Sequence, residues 1–242
     1  MLIQLLPLST LPPDEALGRR HLPRPIKEDY TVFRSCLRWE FGFTCAICLL
    51  HERDIVQTGV EGWGPTQIEH IVPQSTASRG ATPGVVHKYS NLLYICRLCN
   101  NARGDTDVVD VSGRRLLDPT RDNWSQHFEL VGDQLSPMSG DGDAAYTADA
   151  YAINDPRKVG LRRRRRQTVG DLVENLKVML RRRDRPDGLE PGEPARLARQ
   201  LGVWAWIPED PPADCRCALA SARTLPAPYQ RQVVAIEVPE TP

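Results

Sequence analysis

The sequence predicts an α+β chain: a small strand–strand–helix module tied by two cysteine pairs, with an N-terminal arm and a mainly helical, basic C-terminal extension. Three observations carry that expectation. Cys45-x-x-Cys48 and Cys96-x-x-Cys99 enclose two short apolar runs of strand character. Apolar residues at helical spacing from Val169 to Leu180 mark an amphipathic helix. Finally, 31 basic and 31 acidic residues give zero formal charge, yet arginines concentrate at Arg162 to Arg166 and at Arg181, Arg182, Arg183 and Arg185.

Taken in order, residues 1–28 hold Pro7, Pro12, Pro13, Pro23 and Pro25 with little apolar periodicity, which suits an extended arm. Val32, Phe33, Cys36, Leu37 and Trp39 recur at three- and four-residue spacing, so Tyr30 to Glu40 is expected to be a short helix stopped by Gly42. The alternating stretch Gln67 to Val72, closed by Pro73, reads as a strand whose end presents His70, and Leu92 to Ile95 reads as its partner. Gln74 to Ser90 between them is a polar loop with Pro83, Gly80 and Gly84, of a length more often functional than idle. Cys99 to Gly104 is expected to start a helix.

Farther on, Phe128 to Val131 and Gln134-Leu135 flank Gly132-Asp133 as a small hairpin, and Asp141-Gly142-Asp143 reads as a turn. Val169, Leu172, Val173, Leu176, Met179 and Leu180 predict a helix opened by a Thr168 and Asp171 capping pair, with the Arg162 to Arg166 run before it. Pro194 to Gln200 suits a further helix ended by Gly202, and Val233 to Val238 a late strand. The expected division is an arm at 1–28, a module at 29–125, a small β/turn extension at 126–160 and a basic helical region at 161–242.

No stretch reaches the ~18–20 apolar residues of a membrane span. The Leu-rich start runs into Asp14 and Glu15 without a basic n-region, so no signal peptide is expected. A cytoplasmic protein without membrane contact is the expectation. In a reducing compartment cysteines point to metal before disulfides. Two short-spaced pairs fill a tetrahedral shell of Cys45, Cys48, Cys96 and Cys99, and four thiolates leave no open position, so the expected zinc is structural. Residues 49–95 separate the pairs, far more than the ~15–20 of a simple zinc ribbon, so a substantial insertion sits between them. Cys36, Cys215 and Cys217 receive no role.

That insertion and its sequel read Glu69-His70-Ile71-Val72-Pro73, then Ser90-Asn91-Leu92-Leu93, then Cys96-Arg97-Leu98-Cys99-Asn100-Asn101-Ala102-Arg103-Gly104. The run resembles the HNH nuclease superfamily. More narrowly it is similar to the four-cysteine branch with the pattern Cys-x-x-Cys, Asp/Glu-His-x-x-Pro, Asn-Leu, Cys-x-x-Cys-His/Asn and a nearby Lys-Gly. The resemblance covers about residues 40–105 and extends more softly through Asp118-Pro119, Trp124 and His127-Phe128. It implies a ββα-metal (HNH, His-Me finger) module in its HNN variant. His70 would be the general base for a water attacking a phosphodiester, Glu69 and Asn100 would ligate one Mg2+ or Mn2+, and Asn91 would orient His70 without touching metal.

The chemistry of those residue types agrees. An imidazole titrates near neutrality, and a carboxylate with an amide oxygen is a hard, sparse ligand set suited to Mg2+. Glu69 stands where Asp is common, Asn100 where His often stands, and Arg103 where Lys is frequent. Arg103, His87 and Lys88 are the candidate substrate contacts. His51, Glu52, Arg53 and Asp54 read as a polar turn beside the first cysteine pair, and Trp124 and His127 as packing residues.

The function expected is metal-dependent endonuclease action on DNA, with RNA left open, the arginine clusters meeting phosphates and a protein partner for the 161–185 helix as a further expected contact. Two rival expectations are a non-catalytic zinc-dependent nucleic-acid-binding module and a nuclease effector targeted by a partner protein in a defence or mobile-element system.

Overall fold

Six strands and six α-helices follow from local chemistry along the chain, in a computed structural model that describes residues 2–5, 30–41, 43–56, 66–74, 87–182 and 234–237. Gly42, the 75–86 part of the long loop and the Pro194 to Gly202 expectation lie outside the described residues. The strands are β1 (Leu2–Leu5), β2 (Thr66–His70), β3 (Leu92–Cys96), β4 (Phe128–Val131), β5 (Gln134–Pro137) and β6 (Val234–Glu237). The helices are α1 (Arg34–Glu40), α2 (Glu52–Val56), α3 (Arg97–Arg103), α4 (Trp124–His127), α5 (Gly142–Ala150) and α6 (Pro156–Arg182). The chain is therefore α+β with small sheets. Each is a two-stranded antiparallel pair: β1 with β6, β2 with β3, β4 with β5.

The β2/β3 register sets Glu69 opposite Leu93 and His70 opposite Leu92. Strand alternation therefore turns Glu69 and His70 to opposite faces. All five residues of β3 are buried, and the chain passes straight from Cys96 into α3. Cys96 is the N-cap of that helix, its sulfur accepting from the Cys99 amide, and Gly104 ends it at φ +50°. The helix starts two residues earlier than the Cys99 to Gly104 expectation, so Asn100 lies one turn inside it.

The β4/β5 hairpin forms at the expected place. Gly132 takes φ +64° in its two-residue loop, the positive value such hairpin turns demand of their first central residue. The 141–143 turn is instead a helix start: the Asp141 side chain caps α5 by accepting from the Ala144 amide. A second correction concerns α6. It begins at Pro156, not near Thr168, because Asp155 accepts from the Arg157 amide as N-cap and proline suits the first helical position. Thr168 and Asp171 are interior residues of α6, and the Arg162 to Arg166 run lies within it.

One continuous set of buried side chains runs from Phe33 through the cysteines, Tyr94, Trp124, Leu135 and Tyr151 to Leu161. It crosses the expected divisions at 125/126 and 160/161. Over residues 156–166 of α6 the buried positions are Lys158, Leu161, Arg162 and Arg165, while Arg157, Gly160, Arg163, Arg164 and Arg166 are exposed. The side chains of the expected stripe at Val169, Leu172, Val173, Leu176, Met179 and Leu180 lie outside the described residues. The first part of the helix thus presents a buried stripe at helical period whose members are mostly cations. Among the described residues, no helix is long and apolar enough to cross a membrane.

Candidate active site and metal centre

The first cysteine pair sits on a tight knuckle. The Cys45 amide donates to the Leu50 carbonyl at 2.9 Å, Leu49 takes φ +62°, and the Ala46 amide donates to the Tyr94 carbonyl at 2.9 Å, docking the knuckle on β3. The second pair is delivered by the β3/α3 junction. Amides of Cys48 and Cys99 point at the sulfurs of Cys45 and Cys96, at 3.5 and 3.4 Å. All four sulfurs lie within 4.8 Å of one another, and those of Cys48 and Cys96 are 3.7 Å apart. A tetrahedral zinc with Zn–S near 2.3 Å has sulfur–sulfur edges of about 3.8 Å. The four cysteines are not disulfide-bonded, they are buried, and together they can hold a structural metal such as zinc.

Around that centre stand two cations, Lys158, which the sequence reading did not single out, and Arg162, which it read as part of a phosphate-facing run. Lys158 is raised above the ordinary lysine value: burial opposes its charge, and the Cys99, Cys48 and Cys96 sulfurs outweigh burial. Arg162 is pulled below the ordinary arginine value by burial, against the pull of Cys48 and Cys99.

At the end of β2, Asn91 clamps the chain that follows His70. Its Oδ1 accepts from the Val72 amide at 2.8 Å and its Nδ2 donates to the Val72 carbonyl at 3.1 Å. The Ile71 amide donates to the Asn91 carbonyl at 2.9 Å. Three hydrogen bonds therefore close the stem of the long loop. Arg103, 2 % exposed, is turned inward. Its Nη1 donates to the His70 carbonyl at 2.6 Å and its Nη2 to the Ile71 carbonyl at 2.8 Å, and it forms an ion pair with Glu69. Every one of these partners belongs to the chain itself, so the guanidinium serves the strand end from inside.

On the same face of β2 as Glu69, Gln67 accepts through Oε1 from the Asn100 amide nitrogen. Asn100 and Glu69 thus share the side of β2 that faces α3. His70 lies on the other face, among aromatic rings: Tyr30 meets it edge-on with centroids 4.6 Å apart, and His87 at 5.5 Å. Tyr30 and His87 stack at 5.1 Å. Gln74 Nε2 lies 3.3 Å from His70 Nε2. Burial lowers His70 to about 4, helped by the charge of His87. At neutral pH its imidazole is neutral and able to take a proton. The His87 Nδ1 is buried without a hydrogen-bond partner among the described residues, while Lys88 is exposed.

The polar turn after the first pair is α2, and its acids are engaged. Glu52 accepts from Arg38 Nε at 2.9 Å and from the Tyr94 hydroxyl at 2.7 Å. Burial works against its charge, and the Arg38 and Tyr94 bonds override it, so its carboxyl lies below the usual range. Asp54 pairs with Arg165 at 3.0 Å, both 4 % exposed. The arginine run divides accordingly. Arg162 and Arg165 are buried within the protein, Arg163 and Arg166 each reach Asp133 at 3.0 Å while more than half exposed, and Arg164 is exposed. The expected basic surface before α6 is thus a helical segment, and two of its five arginines are internal. Trp124 packs on Phe128 with centroids 5.1 Å apart, and His127 Nδ1 lies 2.7 Å from the Asp141 carboxylate.

Tyr30, Gln67 and Gln74 escaped the sequence reading. Gln67 had one signal: two residues before Glu69 on a strand, it must share Glu69's face. Tyr30 had none, since only the tertiary fold brings it to His70. Comparison with known protein families, with curated proteins and with solved structures finds no match to this chain.

Proposed function

We propose that the chain is a metal-dependent endonuclease of the HNH kind that hydrolyses phosphodiester bonds in DNA. The observation that carries the reading is the run β2–β3–α3, with Glu69 and His70 at the end of one strand, Asn91 clamped behind them and Asn100 in the following helix. His70, neutral because burial disfavours its charged form, takes the proton of the attacking water. Glu69 and Asn100 hold Mg2+ or Mn2+. The Asn100 amide nitrogen is spent on Gln67, which leaves its Oδ1 as a donor to the cation. Arg103 engages Glu69 through Oε1, and a carboxylate with about four lone-pair sites keeps Oε2 for the ion. A bound divalent ion supplies neutralisation of the charge that develops on phosphorus oxygens. Asn91 positions His70 through the backbone of Ile71 and Val72. Zinc on the four cysteines is structural, since four thiolates close its shell.

A second reading, a zinc-dependent nucleic-acid-binding module without turnover, draws support from the Glu69 and Arg103 ion pair, which gives the carboxylate an internal partner. One assay separates the two. Purified protein is incubated with supercoiled plasmid and Mg2+ or Mn2+, beside His70→Ala, with single-stranded RNA in parallel. The nuclease reading expects metal-dependent nicking that the variant loses; no nicking, or equal nicking by both, overturns it.

A further inference from the structure

We propose that Lys158 and Arg162 are the counter-charges of the four-cysteine metal centre, so that metal occupancy and the docking of α6 on the module are coupled. The inference rests on the reading that the cysteines hold zinc. Its physical origin is a charge imbalance. A divalent ion with four thiolates carries two net negative charges, and here all four cysteines are 0 % exposed. Charge in a dry core is costly unless it is paired.

The pairing comes from one helix. Lys158 and Arg162 stand one turn apart on α6, 1 % and 0 % exposed. Lys158 Nζ donates to the carbonyls of Tyr151 at 2.6 Å and Ala152 at 3.0 Å, and the Cys99, Cys48 and Cys96 sulfurs favour its charged form. Arg162 donates from Nε to the Asp133 carbonyl at 2.7 Å, from Nη2 to Ile153 and Asn154, and from Nη1 toward the Cys48 carbonyl on the first knuckle at 3.5 Å. Among the described residues neither cation forms an ion pair with a carboxylate. Asp133 pairs its carboxylate with Arg163 and Arg166, and it meets Arg162 through its backbone oxygen and a longer-range charge attraction. Two buried cations without an ion-pair partner thus stand beside a centre that carries the matching negative charge when loaded.

The consequence is reciprocal. With the ion bound, two positive charges meet two negative ones and α6 is held against the module. When the ion leaves, the sulfurs take up protons, and the two buried cations lose the charge that offsets their burial. Anything that favours the docked helix then favours metal retention by the same factor.

The test is zinc affinity of the full chain, by competition with a chromophoric chelator, for wild type, Lys158→Met and Lys158→Arg. Met keeps most of the volume and removes the charge; Arg keeps the charge. Loss of an outer partner of a metal ligand weakens metal binding on the order of 10–100-fold, which is expected of Lys158→Met, with Lys158→Arg recovering most of it. A folded Lys158→Met chain with affinity within about twofold of wild type overturns the proposal. Should that variant not fold, amide hydrogen exchange on wild type decides: zinc removal is expected to raise exchange across residues 156–166 as well as in both knuckles, and unchanged protection of 156–166 overturns the coupling. A wild-type chain that binds no zinc overturns the metal reading itself and this inference with it, whereas zinc bound with unaltered affinity in Lys158→Met overturns the coupling alone.

Discussion

The carboxylate of Glu69 and the guanidinium of Arg103 form a buried ion pair, and the same guanidinium holds the carbonyls of His70 and Ile71. Arg103 therefore positions the strand end from which both Glu69 and His70 project. Removing one member of a buried pair strands the other. Arg103→Met is expected to lower unfolding stability by about 3–5 kcal/mol in urea titrations. Arg103→Lys is expected to recover only part, since an ammonium lacks the planar fork that reaches two carbonyls and a carboxylate. A phosphate-binding arginine would behave oppositely, weakening DNA binding with stability intact, and that outcome would sink the positioning role.

Asn91 offers a finer test of the same strand end. Asn91→Ala leaves the Val72 amide and carbonyl without their partners, at a cost of about 1–3 kcal/mol. Zinc content is expected to stay at the wild-type level, because the cysteines do not depend on that clamp, while kcat falls more than KM rises. Metal analysis beside steady-state nicking kinetics checks both, and an Asn91→Ala chain with wild-type kcat would contradict the positioning assignment.

The imidazole of His70 carries a pH signature. Its folded value is depressed to about 4 from an ordinary 6.5 by burial, with His87 adding to the effect. Between those values the unfolded chain binds a proton that the folded chain does not, so stability rises with pH across the window and falls as pH is lowered through it. The expected observation, without divalent ion at the active site, is a urea midpoint that drops from pH 6.5 toward pH 4 in wild type and drops less in His70→Gln. Parallel profiles for the two chains would show that His70 is not the group responsible.

The arginines of α6 divide into two experimental classes. Arg165→Ala breaks the buried pair with Asp54 and is expected to cost about 3–5 kcal/mol of stability. Arg164→Ala, at an exposed helical site, is expected to change stability by about 0.5 kcal/mol or less. Combined alanine substitution at Arg163, Arg164 and Arg166 is expected to weaken DNA binding and to flatten its salt dependence by about 0.9 for each phosphate that the variant no longer neutralises. An unchanged slope would remove α6 from the DNA-binding surface.

Much of the strand end was legible because its signals are local. Alternation before Pro73 marks β2, the short cysteine spacing marks both knuckles, and Gly132 marks the hairpin. The start of α6 was missed although Asp155-Pro156 is a helix-start pair, because an apolar stripe was sought and the buried stripe there is Lys158, Leu161, Arg162 and Arg165. Long cationic stems bury like aliphatic ones, and partners at their tips offset the cost, among them Asp54 for Arg165 and the Cys48 carbonyl for Arg162. Those partners stand about a hundred residues away in the chain, at Asp54 and Cys48, and no window of sequence contains both ends. The ring of Tyr30 beside His70 was illegible for the same reason.

The three hydrogen bonds between Asn91 and the Ile71-Val72 backbone have one more effect. They tie the backbone that follows His70 to the residue that precedes β3, so the end of the strand is held by bonds that do not pass through residues 75–86. Lengthening a loop whose ends are already fixed costs only about 0.6 kcal/mol per doubling. An insertion between Gln74 and His87 is therefore expected to cost the fold little and to reach His70 through those two side chains.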